Sequence, residues 1–263
     1  MAALLRLLQS LGLNAVPAAG VFFGDWSLST AFLLYWVENL FTTFTTASRI
    51  SLHYRWTHKL GHMRSHIQQK GMMSASLRGG SVLLAEYRSA SLIFTLVHGI
   101  FMAALVLAFF KEMPALSQVL QGVAAVAVLE LVSFGYDYGS LRSWPFARLL
   151  DFTKRRLGRV FVVHLALIFG MGVAAMTNRP TSFFWVFVAL KTLVDLANFL
   201  PAAKQDPNRP PGCVSWIGKV IPKSSTARGP KDESFDAFWK RETERDLALA
   251  ARDEEEISPE DRT

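Results

Sequence analysis

Apolar residues along the chain collect into six long blocks instead of recurring at the helical or strand period of a soluble core. Each block is close to the roughly 20 residues that cross a hydrocarbon layer as a helix. Barrel strands would instead alternate every two residues over segments of about ten. The six blocks are residues 2–23, 28–46, 89–110, 116–134, 160–176 and 182–200. They predict an all-α, polytopic membrane domain of about six transmembrane helices over residues 1–200.

Lys and Arg residues lie almost entirely on alternate connections between the blocks. The connections 47–88 and 135–159 and the chain after residue 200 are basic, whereas the three short links carry only Lys111 and Arg179. Basic residues near the ends of spans are retained on the cytoplasmic side. The distribution therefore predicts that the N-terminus and the C-terminus are both inside. The first block also resembles a signal peptide, and without it five spans would place the N-terminus outside.

The chain changes character after the last block. Residues 201–231 form a polar, proline-rich stretch that predicts an irregular linker. Residues 232–263 are a charged tail, in which 232–256 predicts an amphipathic helix. Phe235, Phe238 and Trp239 give the start of that helix an aromatic face. This face is expected to dock on the membrane surface or on the protein's own loops, or else to stay solvated.

Composition and charge agree with the membrane interpretation. The 263 residues are 51% hydrophobic and 19% charged, which is too apolar for an ordinary soluble domain. The net charge of +7 would suit nucleic acid, but its position between the blocks favours topology and anionic lipid head groups as the explanation. The one cysteine, Cys213, cannot form an internal disulfide, which suits a reducing compartment. We therefore expect a multi-pass protein of the plasma (inner) membrane that does not bind nucleic acid.

Polar residues inside the apolar blocks are the candidate functional residues, because an ionisable group in a span costs about 2.5–3.5 kcal/mol on insertion scales. Counting from the cytoplasmic ends places one layer about 15 Å deep and a second about 8 Å deep, which predicts one polar cavity near the cytoplasm. The deeper layer holds Glu38, His98 and Lys191; the shallower holds Glu130, His164 and Asp195. The candidate cluster is Tyr35, Glu38, Asn39, His98, His164, Lys191 and Asp195.

Several of these residues also have a purely structural interpretation. Lys191 and Asp195 are four residues apart, so they can neutralise one another and hold helices together. The histidines can donate single hydrogen bonds to neighbouring helices. Glu38 is harder to explain by packing, since a carboxylate at the midplane needs a cation or a raised pKa. Glu130 lies close enough to the interface to reach water.

Two sets of residues are hypothetical metal ligands, although no cofactor is evident from the sequence. His98 and His164 with a carboxylate, from Glu38 or Asp195, are a donor set that divalent zinc or iron accepts. The second set is His58, His62 and His66, which recur every four residues and would share one face of a helix. Gly61 and the nearby basic residues favour a surface segment near lipid head groups instead.

The spans resemble a known but uncharacterised family. The residues that carry the resemblance are Tyr35-Trp36-x-Glu38-Asn39 near the start and Lys191-Thr192-x-x-Asp195 near the end. The family groups multi-span prokaryotic membrane proteins and is catalogued as a domain of unknown function, number six-four-nine-eight. The resemblance covers roughly residues 11–200 and implies a membrane protein without an established activity. Family members often carry a second histidine eight residues before the position of His98. This chain has Ala90 there, which disfavours a metal site built on paired histidines.

Motifs for common enzyme chemistry are missing from the sequence. It contains no P-loop, no dinucleotide-binding glycine motif, no HExxH, no CxxC and no GxSxG. Three hypotheses follow. The first is a transporter or channel-like protein with Glu38 as proton or cation acceptor; the second is a membrane metalloenzyme. The third is a structural or assembly subunit that forms a homo-oligomer or joins a membrane partner.

Overall fold

The computed structural model describes residues 2–66, 80–107, 112–159, 169, 180–197 and 235–258. These residues are helical almost throughout, and their only β-type pairing is an isolated bridge between Lys59 and Glu256. The predicted all-α class is confirmed. The helices are α1 (Ala2–Phe23), α2 (Leu28–Thr57), the 3-10 turn η1 (Leu60–Met63), α3 (Val82–Leu105), α4 (Leu116–Leu141), α5 (146–159), α6 (Pro180–Ala197) and α7 (Phe235–Asp253).

Several helices are longer than the apolar blocks that predicted them. α2 continues to Thr57, α3 begins at Val82, and α4 continues to Leu141. The starts of α2 and α3 are set by caps, because the side chains of Ser27 and Ser81 accept hydrogen bonds from backbone N–H groups at 3.1 and 3.2 Å. Hydropathy marks only the apolar part of a helix, so it missed these polar turns. The fifth predicted block, 160–176, lies outside the described residues except for residue 169.

Two of the described helices are long and apolar enough to cross a membrane, judged by length and composition alone. They are Val82–Ala104 in α3 and Leu116–Leu141 in α4. A shorter apolar helix spans Leu7–Phe23. The six-span topology stays a prediction.

The middle of the bundle has polar residues inside and apolar residues on its surface. Leu96 and Ile100 on α3 are 65% and 64% exposed, and Leu131 on α4 is 60% exposed. In contrast, Glu38 and Glu130 are fully buried. This distribution is the reverse of that in a water-soluble core.

α2 is the central element, and two apolar clusters lie along it. The first joins Phe32 and Tyr35 of α2 to Phe184 and Phe187 of α6. The second surrounds Ile50 near the other end of α2 and includes Tyr87, Leu141, Trp144 and Phe146. Between them, the buried face of α2 is polar. The two apolar clusters therefore frame a polar stretch in the middle of the bundle.

Glycines let two helices approach α2 closely. A Cβ placed on Gly122 of α4 would lie 2.3 Å from Leu34 Cδ1, and one placed on Gly99 of α3 would lie 2.7 Å from Trp36 Nε1. At such distances a larger residue would displace the side chain of Leu34 or Trp36, or would force the helices apart. Trp36 also donates a hydrogen bond of 2.9 Å to the carbonyl of Thr95 on α3. These contacts fix the positions of α3 and α4 against the polar face of α2.

Candidate functional site

Four charged side chains from three helices meet in the interior, and we call them the charge cluster: Glu38 of α2, Arg159 of α5, and Lys191 and Asp195 of α6. Arg159 donates to Glu38 and lies 2.7 Å from Asp195, measured from Nε to Oδ1. Lys191 Nζ lies 3.2 Å from Glu38 Oε2 and 3.4 Å from Asp195 Oδ2. All four residues are at most 6% exposed. Each cation contacts both carboxylates, so the cluster is a closed, neutral ring of ion pairs.

Two neutral residues complete the surroundings of the cluster. Asn14 of α1 donates to Asp195 Oδ2 at 2.7 Å and accepts a hydrogen bond from Lys191. Tyr35 donates to the carbonyl of Asn14 at 3.5 Å, and Lys191 Nζ lies 5.0 Å from the centre of its ring. The cluster thus ties α1, α2, α5 and α6 together. A buried charge is stabilised only while all of its counter-ions and hydrogen-bond partners are present.

The next level along α2 is built around Glu130 of α4. Its carboxylate accepts hydrogen bonds from Thr42 at 3.0 Å and from Thr45 at 3.1 Å. Arg156 of α5 approaches it to 3.9 Å. Glu130 itself is fully buried. Its negative charge is therefore balanced by two hydroxyl donors and one cation.

The third level is an ion pair between α2 and α4. Arg49 Nε lies 3.0 Å from Asp137 Oδ2, and the guanidinium also donates to Ser133 Oγ at 3.4 Å. The guanidinium carbon lies 5.1 Å from the ring centre of Phe134 and 5.3 Å from that of Phe152. Aromatic faces attract cations in this geometry. Both partners of the pair are buried.

The fourth level is a pair of buried histidines, His53 of α2 and His62 of η1, which we call the histidine pair. His53 Nδ1 and His62 Nε2 are 2.8 Å apart, and His53 Nε2 lies 3.0 Å from the carbonyl of Trp144. A carbonyl only accepts, so Nε2 of His53 donates and Nδ1 of neutral His53 accepts from His62. His62 Nδ1 then accepts from Ser81, 3.1 Å away. The result is a directional chain of hydrogen bonds from Ser81 to Trp144.

Burial holds this pair in the neutral form. Removal from water lowers the pKa of His62 to about 3, with the nearby His53 and His66 as smaller contributions in the same direction. Burial also lowers the pKa of His53, although the hydrogen bond to Trp144 opposes the change. Both rings are therefore uncharged near neutral pH. Only an uncharged pair sustains the chain of hydrogen bonds described above.

The C-terminal segment docks beside the histidine pair, and we call these contacts the tail junction. Lys59 pairs with Glu254, and Arg64 lies 2.7 Å from Asp253. Two backbone hydrogen bonds of 2.8 Å, Leu60 to Glu255 and Ile257 to His58, flank the bridge. Glu254 also accepts from the backbone N–H of Ala147 at 2.9 Å. The tail therefore packs against η1 and the start of α5.

The polar residues predicted from the sequence are distributed as follows. Glu38, Lys191 and Asp195 meet in the charge cluster, and Tyr35 lies beside it. Asp195 shares Arg159 and Lys191 with Glu38, so the charge cluster joins a residue that the sequence assigned to the shallower layer to residues assigned to the deeper one. Asn39 and His98 are buried on α2 and α3. His164 lies outside the described residues.

The three histidines at four-residue spacing do not share a helix face. α2 ends at Thr57, His58 has a left-handed φ of 47°, and His62 belongs to η1. His66 Nε2 donates to the carbonyl of Gly61 at 2.7 Å. Within the residues that the structure describes, no group of three His, Cys, Asp or Glu side chains is arranged to hold a metal ion.

Sequence reasoning missed several members of these levels. The sequence marks Arg159 and Arg49 only as basic residues that report topology, and it gives Asn14 no place in the candidate cluster. His53 carries no prediction, although it lies four residues after Arg49, which itself follows Thr45 by four. That continued spacing of polar residues along α2 was the available signal. Asp137 on α4 and Arg156 on α5 carried no comparable local signal.

The family comparison agrees with the resemblance. The sequence model of the family of unknown function DUF6498 matches residues 2–212, so the chain belongs to this family. The match includes every residue of the charge cluster and of the three other levels, whereas the docked tail lies beyond it. No curated protein and no solved structure matches the chain.

Proposed function

We propose that this chain is an integral membrane protein that moves protons along the buried polar face of α2. The observation that carries the proposal is the spacing of that face. The charge cluster, Glu130, the Arg49–Asp137 pair and the histidine pair each meet α2 about one helical turn apart, beginning at Glu38 and ending at His53. We call these four levels the polar column.

The outer surface of the bundle supports a lipid environment. Large aliphatic side chains on α3 and α4 are exposed, and both helices are long and apolar enough to cross a bilayer. Large exposed apolar faces mark surfaces that contact lipid or another protein. The polar column then lies where a membrane protein keeps its ionisable groups, facing the interior of the bundle. A plasma membrane, with the basic connections inside, fits the charge distribution.

The chemistry of the column favours protons over a larger solute. The side chains of the charge cluster contact one another directly, with N···O distances of 2.7 to 3.4 Å among the pairs quoted above. Such contacts leave no space for a solute between the charges. Protons need only hydrogen-bonded groups that exchange them, and carboxylates and imidazoles are those groups. Successive levels are about one helical turn apart, so the proposal requires water molecules to bridge them.

The test measures proton uptake by the full chain in phosphatidylcholine and phosphatidylglycerol vesicles. A potassium diffusion potential drives the uptake, and a pH-sensitive dye inside the vesicles reports it. Glu38→Gln removes the proton-accepting carboxylate of the cluster and is expected to abolish most of the flux. His53→Asn interrupts the column at a different level, away from the charge cluster, and is expected to lower the flux as well.

The matched control is Glu112→Gln, the same change at an exposed position before α4, which should keep the wild-type flux. Size-exclusion profiles and helical circular dichroism verify that each variant is folded. Unchanged flux in both folded column variants would overturn the proposal. That result would favour the structural hypothesis, in which the ion pairs only join helices, and crosslinking in membranes would then identify the partner.

A further inference from the structure

The tail junction and the histidine pair share the turn η1. His62 lies in η1, and the tail binds the two residues that precede and open this turn, Lys59 and Leu60. Phe146 packs against His62 with ring centres 5.0 Å apart, while the neighbouring Ala147 donates its N–H to Glu254. The tail therefore holds both the turn and the helix start that enclose the end of the polar column.

We infer that the C-terminal segment is an autoinhibitory closure of the polar column, docked in the resting protein and released for transport. This inference rests on the proposed function. When the tail is docked, η1 and Phe146 keep His62 away from solvent. When the tail leaves, η1 loses its backbone partners, and the histidine pair gains access to water. The tail would act on the rate of transport and not on its direction.

The bonding at the junction suits a reversible contact. Arg64 is 36% exposed and Glu254 32% exposed, so solvent screens both ion pairs. Partly exposed pairs of this kind contribute on the order of 0–1 kcal/mol each. Ile257 supplies a buried apolar side chain beyond α7, at 6% exposed. The junction thus holds the tail specifically but without the strength of the charge cluster.

Two further observations support a regulatory role. The family match ends at residue 212, so the docked segment lies outside the matched part of the chain. A cavity of about 180 Å³ also lies between α5 and the tail, lined by Leu150, Lys154 and Ala250 among others. Phe146 forms part of its wall and separates it from His62. A cavity of this size has room for water, which would then lie one side chain away from the histidine pair.

A reversible disulfide tests the inference. Lys59 and Glu256 form an antiparallel bridge that the backbone hydrogen bonds of their neighbours flank, a pairing in which the Cα atoms lie about 4.5 Å apart. This separation suits a disulfide. The variant combines Lys59→Cys and Glu256→Cys with Cys213→Ser, which removes the only native cysteine. Proton uptake in the vesicles described above is measured after oxidation and again after reduction.

Oxidation should lock the tail and remove most of the flux, and reduction should restore it several-fold. The two single-cysteine variants in the Cys213→Ser background should not respond to oxidation. A second variant, Asp253→Asn with Glu254→Gln, weakens docking without a new cysteine and should raise the flux several-fold above wild type. Its matched control is Glu244→Gln with Asp246→Asn, the same charge change on the exposed part of α7.

The outcomes separate this inference from the proposed function. Equal flux before and after reduction overturns the inference and leaves proton transport standing. Failure of the disulfide to form shows that the tail does not dock and also overturns the inference. Absence of flux from every variant, including the reduced form and Asp253→Asn with Glu254→Gln, overturns both. Restoration of wild-type flux by the charge exchange Arg64→Asp with Asp253→Arg would support the docked geometry.

Discussion

The charge cluster and the tail junction both hold distant parts of the chain together, but the first is buried and the second is partly exposed. Both use ion pairs to join segments distant in the sequence, by 153 residues for Lys191 and Glu38 and by 195 for Lys59 and Glu254. In the charge cluster, every charged residue is at most 6% exposed, and each cation contacts two carboxylates. In the tail junction, each cation contacts one carboxylate, and Arg64 and Glu254 are partly exposed.

This difference determines what each contact can do. Removal of one partner from a buried set leaves a charge without water or counter-ion, which costs about 3–5 kcal/mol. Removal of one partner at a partly exposed site returns the other to solvent at little cost. The charge cluster is thus a permanent part of the fold, whereas the tail junction can open while the fold persists.

The largest effect is expected from Arg159→Met. It leaves the carboxylates of Glu38 and Asp195 to share Lys191, so the free energy of unfolding should fall by about 3–5 kcal/mol. Denaturant unfolding in detergent micelles, followed by circular dichroism, measures the change. Arg155→Met is the matched control on the same helix, because its pair with Asp151 at 2.9 Å is exposed and should contribute about 0–1 kcal/mol.

A second substitution sharpens this result. Asp195→Asn added to Arg159→Met removes one uncompensated carboxylate and should recover part of the lost stability. The two residues do not act as an ion pair if the double variant loses as much free energy of unfolding as the two single variants together. The comparison with the tail junction then fails.

A smaller effect should appear in the pH dependence of stability. The pKa of His62 is about 3 in the folded protein and 6.5 for a histidine free in water, so the unfolded chain binds more protons between these values. Stability therefore rises with pH across this window and is lost as pH falls. The unfolding midpoint in detergent should decrease on acidification below about pH 6.5. His62→Gln should flatten that dependence.

The smallest effect on global stability should come from Asp253→Asn. Its pair with Arg64 is partly exposed, so the loss should be about 0–1 kcal/mol. The change should instead appear as slower disulfide formation between cysteines at positions 59 and 256. High salt should also slow that reaction in the unaltered junction, since salt screens partly exposed pairs. Salt should leave the stabilising effect of Arg159 nearly unchanged, and an equal response of both regions would contradict the comparison.

Local spacing predicted only part of the charge cluster. Lys191 and Asp195 lie on one helix, so their separation of four residues was sufficient to suggest contact. Glu38 was conspicuous because a carboxylate in an apolar block needs a partner. Arg159 stands one residue before the fifth block, where an arginine equally reports topology. Whether such a residue turns outward or into the bundle depends on the packing of α5 against α2, which a single sequence does not encode locally.

The tail was predicted in part as well. Its helix was expected at 232–256 and forms at Phe235–Asp253. Docking on the protein's own loops was one of three alternatives, and the aromatic residues at the helix start were the expected contact. The tail junction uses residues 253–257, where the carboxylates and the backbone bridge lie. Charged residues after a helix have no periodicity to mark them, so sequence patterns gave no sign of their partners.

α2 gives the molecule a mechanical property as well. It runs for 30 residues without a glycine or a proline, so it is an unbroken rod of about 45 Å, longer than the roughly 30 Å of a hydrocarbon core. Helices bend sharply only at identifiable breaks, and this one has none among its residue types. Glu38 and His53 therefore lie on one rigid helix. A displacement imposed on its outer end by the tail would reach the charge cluster as movement of the whole helix.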